Sequence, residues 1–168
     1  MKITIISDIH DNLVNLKKCL DWRGQENIKN IICCGDITNG ETLKFLSDNF
    51  KGKIYLVRGN IEIYDENEAR QYDNIEYLGR IGKIQLGGKI IGICHEPAYI
   101  SKVMELSSGG GARCDIIFYG HTHKPWEDKK DGIKIINPGT LGGMFTKATF
   151  AVYDSDTESV ELKILELL

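Results

Sequence analysis

The first 57 residues alternate between two hydrophobic periods, and that alternation limits the folds open to the chain. "KITIIS" (2–7), "NIICC" (30–34) and "KIYLV" (53–57) are short β-branched runs that read as buried strands. Between them, "NLVNLKKCLDW" (12–22) carries Leu13, Leu16 and Leu20 at helical spacing behind a cap at Asn12 or Asp11, and "ETLKFLSDNF" (41–50) reads as a second helix. A β-α-β-α-β order requires parallel strands joined by crossovers. The second half changes character. "IEYL", "RIGKIQL" and "KIIGIC" (89–94) read as strands separated by short turns, with a hairpin at Gly87-Gly88. "AYISKVMELSS" (98–108) reads as a helix ended by Gly109-Gly110-Gly111. "CDIIFYG" (114–120) is a further strand, "PWEDKKDGIKIINPG" a hairpin turning at Asp131-Gly132, and the chain closes on two strands around an Asp/Ser/Thr turn. The expectation is two sheets packed on each other with helices on the outer faces.

Length and charge narrow the function classes. The 168 residues suit a single domain spanning 1–168, with a real core and no repeats or linkers. A net charge of -3 argues against a dedicated nucleic-acid binder, which carries a basic excess. Five cysteines without a C-x-x-C pair read as buried reduced thiols, which fits a reducing cytoplasm. "MKITIISD" is too short for a signal h-region, and no stretch approaches the length of a membrane span, so a cytoplasmic protein without a membrane partner is expected.

Polar residues sit just beyond the strands. Asp8 and His10 form D-x-H after the first; residues two apart on an extended chain point the same way, so both can face one metal. Gly35-Asp36 and Gly59-Asn60 follow the second and third strands, His95 follows "KIIGIC", and His121 and His123 repeat the two-residue spacing. Singly, each has a bland reading: Asp8 as a turn or cap residue, the Gly dipeptides as turns, His95 as a hydrogen-bonded boundary residue. Together they are a different matter. All four histidines of the chain belong to the set, and every member lies where parallel sheets place their binding crevices. Oxygen and imidazole donors without thiolates suit first-row divalent metals such as Mn, Fe, Co, Ni or Zn, and argue against a structural zinc finger. Seven ligands, Asp8, His10, Asp36, Asn60, His95, His121 and His123, exceed one tetrahedral ion and suit two ions sharing a carboxylate.

The ordered set D-x-H, G-D, G-N, H, G-H-x-H resembles the calcineurin-like metallophosphoesterases. "SDIHDN", "GHTH" and "INPGT" (136–140) resemble their small bacterial and archaeal branch, the YfcE-like phosphodiesterases. The resemblance implies a four-layer α/β/β/α sandwich of two mixed sheets flanked by helices. It implies that Asp8, His10, Asp36 and His123 hold one metal and Asp36, Asn60, His95 and His121 the other, with Asp36 shared. It further implies phosphoester hydrolysis, most often of phosphodiesters, by a hydroxide between two ions, with Mn or Ni the frequent activators and a small-molecule substrate. Asn60 would also bind the phosphate. Relatives are often dimers or larger, so a homo-oligomer is expected. A phosphomonoesterase, a nuclease, or a protein-binding scaffold that has lost activity are the alternatives. The chain departs from the larger family at "GNIE" (59–62), where Ile61 stands in place of the histidine that protonates the leaving group. Glu62 is expected to support a ligand histidine, with a proton-donor role as its alternative.

Overall fold

The computed structural model describes residues 1–106 and 112–168. The first strands and helices form as their periods require: β1 (Lys2–Ile6), α1 (Leu13–Gln25), β2 (Asn30–Cys33), α2 (Gly40–Asn49) and β3 (Lys53–Leu56). Asn12 caps α1 by accepting from the Asn15 N–H, and Asn39 caps α2 through the Thr42 N–H. A short helix α3 (Glu66–Arg70) then leads to β4 (Ile75–Tyr77), which pairs parallel to β3 with Ile54 opposite Ile75. α3 is five polar-rich residues long, too short to show a hydrophobic period. Its crossover places β4 in the first sheet, not with the meander that follows it.

The second half contributes β5 (Ile81–Leu86), β6 (Lys89–Cys94), α4 (Ile100–Glu105), β7 (Ile116–Phe118), β8 (Trp126–Lys130), β9 (Ile133–Asn137), β10 (Thr149–Asp154) and β11 (Ser159–Ile164). Gly87 and Gly88 take φ of 59° and 74°, as a tight two-residue hairpin between β5 and β6 requires. The helix expected over 98–108 is a 3-10 turn at Pro97–Tyr99 followed by α4, because a proline at the start favours a tight first turn. The expected stop at Gly109 to Gly111 lies outside the described residues. β7 is shorter than the run 114–120, because Gly120 and its neighbours turn away to build the site.

The strands form two mixed sheets, ordered β11-β10-β1-β2-β3-β4 and β5-β6-β7-β9-β8. Alternation along each strand then separates three cores. Ile6, Ile31 and Ile54 pack against Leu16, Leu20, Leu43 and Leu46 of α1 and α2. Ile3, Ile5 and Ile32 meet Ile91, Ile93 and Phe118 between the sheets. Ile117, Ile133 and Ile135 pack with Val103 of α4 on the far side. The result is four layers, helix, sheet, sheet and helix. Central β1 is buried on both faces from Ile3 to Ile6, which is why it reads as a β-branched, near-continuous apolar run broken only by Thr4. All five cysteines are buried, and burial pushes the Cys19 and Cys94 thiols up to about 12, so they stay protonated. Among the described residues, no helix is long and apolar enough to cross a membrane.

Candidate metal centre

Every polar residue singled out above lies beyond the carboxyl end of a strand: Asp8 and His10 after β1, Asp36 after β2, Asn60 after β3, His95 after β6, and His121 and His123 after β7. The segments carrying them are not extended. Asp8, His10, Asp36, His121 and His123 have φ of 54°, 49°, 55°, 70° and 59°. The two-residue alternation of an extended chain therefore does not aim these pairs. Left-handed backbone does, in residue types that tolerate it better than branched ones. Tertiary hydrogen bonds hold it there. Asp8 N–H donates to Gly35 O at 3.0 Å, and Ile9 and His10 N–H both donate to Asp36 O at 2.9 and 3.1 Å.

Glycine serves close approach here. A Cβ on Gly59 would fall 2.0 Å from Asp36 Oδ1, and one on Gly120 would fall 1.9 Å from Ser7 Oγ. Gly120 thus lets the β7 loop press against the β1 loop, while the turning itself is done by His121 and His123.

Two constellations result. In the first, His10 Nε2 and His123 Nε2 are 3.0 Å apart, and Asp8 Oδ1 lies 3.1 Å from His123 Nε2 and 3.8 Å from His10 Nε2. Asp8 Oδ1 is buried with no hydrogen-bond donor aligned to it among the described residues. In the second, His95 Nε2 is 3.2 Å from Asp36 Oδ2 and 2.9 Å from Asn60 Oδ1, which is also 2.8 Å from His121 Nδ1. His95 Nδ1 lies 2.8 Å from the Cys34 carbonyl, which can only accept. The proton of a neutral His95 is therefore on Nδ1, and its Nε2 lone pair faces two oxygens. A divalent cation between these atoms would satisfy all of them at once, so the residues present fit a bound metal. Asp8 with His10 and His123, and Asp8 with Asp36 and His95, each bring ligand atoms within 4.8 Å of one another. Asp8 thus enters both groups, while Asp36 Oδ1 is engaged by the Ile61 N–H at 3.2 Å.

Electrostatics follow the same pairing. The Asp8 carboxylate beside it raises His10 above its ordinary value. Burial pulls His95 down, but the bond to Asp36 and its charge overcome it, and the net shift is upward. Burial likewise opposes ionisation of Asp36, and His95 together with the Ile61 N–H outweighs it, leaving the carboxyl below its usual range.

Glu62 does not support a histidine. Its Oε1 accepts from Ile37 N–H at 3.3 Å, Gly59 N–H at 3.1 Å and Tyr64 Oη–H at 3.2 Å, so it ties the backbone beside Asp36 to the backbone beside Asn60. Burial, then the charge of Asp36, pushes its carboxyl upward. Glu62→Ala is expected to cost about 1–3 kcal/mol by leaving buried N–H groups without an acceptor. Glu62→Gln keeps the Oε1 acceptor and is expected to cost less. Thermal unfolding of both variants checks the order.

A second support comes from the loop after β9. Asn137 Nδ2 donates to Gly120 O at 2.8 Å and to Thr122 Oγ1 at 3.1 Å, while Asn137 Oδ1 accepts from Gly139 N–H. Thr140 Oγ1 donates to Asp8 O at 2.8 Å, and Gly142 N–H to the same oxygen at 2.9 Å. "INPGT" therefore clamps the loops carrying Asp8 and His121. Sequence reasoning saw it only as a signature; the available signal was polar residues directly after a buried strand. Ile61 contributes its backbone to the site and leaves a side chain 38% exposed beside Asn60.

Comparison with known proteins bears on this geometry. Residues 1–158 match the pattern of the calcineurin-like phosphoesterase superfamily domain. The chain is 27% identical over 174 residues to phosphodiesterase MJ0936 of Methanocaldococcus jannaschii, covering 99% of this chain and all of that one. Its structure is similar to that of an archaeal phosphodiesterase, with a TM-score of 0.85 at 25% identity over 98% of this chain and 99% of the other. The phosphoesterase YfcE of E. coli has the same fold, with a TM-score of 0.69 at 18% identity over 98% of this chain and all of the other.

Proposed function

The chain belongs to the calcineurin-like phosphoesterase superfamily, and from that premise we propose that it is a metal-dependent phosphodiesterase acting on a small-molecule phosphoester through two divalent ions. The observation that carries this reading is the convergence of ligand-type atoms: His95 Nε2 on Asp36 Oδ2 and Asn60 Oδ1, and the Nε2 atoms of His10 and His123 on Asp8 Oδ1. Asp8, His10 and His123 would hold one ion, Asn60, His95 and His121 the other, and Asp36 would be the shared carboxylate. Mn or Ni suits this oxygen and imidazole set, as do Fe, Co and Zn.

When bound, such ions would supply charge neutralisation at a phosphate and activation of a water as nucleophile. The chain's own part is to position and to exclude. Asn60 turns Oδ1 towards the histidines, which leaves Nδ2 to donate to a phosphoryl oxygen. Cys34 fixes the tautomer of His95, and Thr140 and Asn137 hold the loops so that the ligands are aimed before substrate arrives. Ile61 offers no proton, so the leaving group departs without one from that position.

Chelator-treated protein is expected to lose hydrolysis of a bis-aryl phosphodiester and to regain it with Mn or Ni in a series that includes Zn and Mg. Failure of every metal to restore activity contradicts the metal half of the reading. An equal or greater rate on the matching monoester contradicts the diesterase half.

A further inference from the structure

We propose that Phe145 sets substrate specificity by packing against an aromatic ester group, so that favoured substrates are phosphodiesters with at least one planar aromatic arm beside the phosphate. The inference rests on the phosphodiesterase reading above and adds the class of group next to the phosphorus. The loop after β9 is pinned at both ends to the candidate metal centre. Gly142 N–H donates to Asp8 O at 2.9 Å, and Gly142 O accepts from Asn12 Nδ2 at 2.9 Å. Further along, Thr146 Oγ1 donates to His123 O at 3.2 Å. Asp8 Oδ1 and His123 Nε2 are themselves 3.1 Å apart. Residues 143–145 therefore arch beside Asp8, His10 and His123, and Phe145 precedes the residue that touches His123.

Phe145 brings the fold no benefit in that position. It is 93% exposed, more than any other large apolar residue among those described. Its φ is 62°, left-handed backbone that a bulky residue adopts at a cost and glycine adopts freely. A glycine there would remove the strain and the exposed apolar surface together. Strain of this kind gathers at active sites and ligand clamps, where a side chain must be held in place. Phe145 also has apolar company. Met144 is exposed beside it, as are Leu13 and Val14 at the start of α1, where Asn12 holds Gly142. Ile61 and Ile63 are exposed on the side of Asp36 and Asn60, with Ile61 N–H on Asp36 Oδ1 and Ile63 N–H on Thr38 O at 2.8 Å. Single exposed hydrophobic residues are ordinary; a gathering on the segments that carry or brace one polar centre marks a binding surface.

The side chains select the arm. A phosphodiester is one anionic group with two ester arms, and the polar centre suits the anion while the rim meets the arms. A phenyl ring free in solvent offers another ring an offset or edge-to-face contact, which adds to the burial of apolar area. The thioether of Met144 likewise favours the edge of an aromatic ring. Small alkyl arms gain neither contact.

Calorimetric titration of the Mn-loaded chain with diphenyl phosphate and dimethyl phosphate, monoanions that differ only in their arms, tests the assignment. The wild-type chain is expected to bind the diphenyl ester about tenfold or more tightly. Phe145→Gly is expected to shrink that preference by at least about threefold and to unfold at no lower a temperature, since the strain is gone. Phe145→Trp is expected to keep the preference. On a bis-aryl phosphodiester, Phe145→Gly is expected to raise KM more than it lowers kcat, as loss of a contact made before and during reaction requires. Equal binding of the two phosphates by the wild type, as where the apolar rim seats a protein, overturns the inference and leaves the phosphodiesterase reading standing. Binding of neither overturns both. A preference without hydrolysis upholds the inference and contradicts that reading. A Phe145→Gly chain that keeps the full preference, or loses it only together with thermal stability, also overturns the role of Phe145.

Discussion

Asp36→Asn is expected to abolish metal-dependent hydrolysis while leaving the fold in place. The amide is isosteric and keeps an oxygen to accept the Ile61 N–H, now 3.2 Å from Oδ1. It removes the charge that faces His95 Nε2 at 3.2 Å. Loss of a residue that merely supports a ligand costs about 10–100-fold; loss of Asp36, in the proposed role of shared ligand, is expected to cost more. The rate on a diester is therefore expected to fall by at least about three orders of magnitude, which corresponds to roughly 4 kcal/mol of transition-state stabilisation. Circular dichroism is expected to be unchanged. Full activity in this variant would mean that the catalytic centre lies elsewhere.

Ile61→His is expected to change which substrates the enzyme turns over. The position follows Asn60, its backbone touches Asp36, and its side chain is partly exposed, so an imidazole can be placed without displacing the core. General-acid assistance contributes about 10²–10⁴-fold where the leaving group needs a proton. The gain should be large for alkyl leaving groups and small for nitrophenol, flattening the dependence of rate on leaving-group pKa. In the wild-type chain that dependence should be steep. If the wild-type rate is indifferent to leaving-group pKa, another residue supplies the proton.

The period change along the first half of the chain carried most of the architecture. β1, β2 and β3 and their two helices needed no tertiary information, because each is buried on a face that its own spacing declares. β4 was harder, since the short polar α3 that carries the chain to it has no period to read. The polar strand ends were also visible, and the structure brings their side chains together. What aims them was not visible. Spacing suggests an extended chain, whereas five of the seven residues sit at positive φ, and that conformation is imposed by hydrogen bonds with Gly35, Asp36 and the loop after β9. Glu62 shows the same gap. Next to a site residue in sequence, it turns into the protein and binds Ile37 and Gly59. Its role depends on partners 25 and 3 residues away, which local pattern does not encode.

The proposed function places two ion sites in the chain, one around Asp8 and one around His95. Counting metal by plasma mass spectrometry, on protein stripped with chelator, reconstituted with Mn and freed of excess, addresses this most directly. The expected content is two ions per chain, lower in the Asp36→Asn variant. A wild-type content of one ion or none, in protein that folds normally, would contradict it.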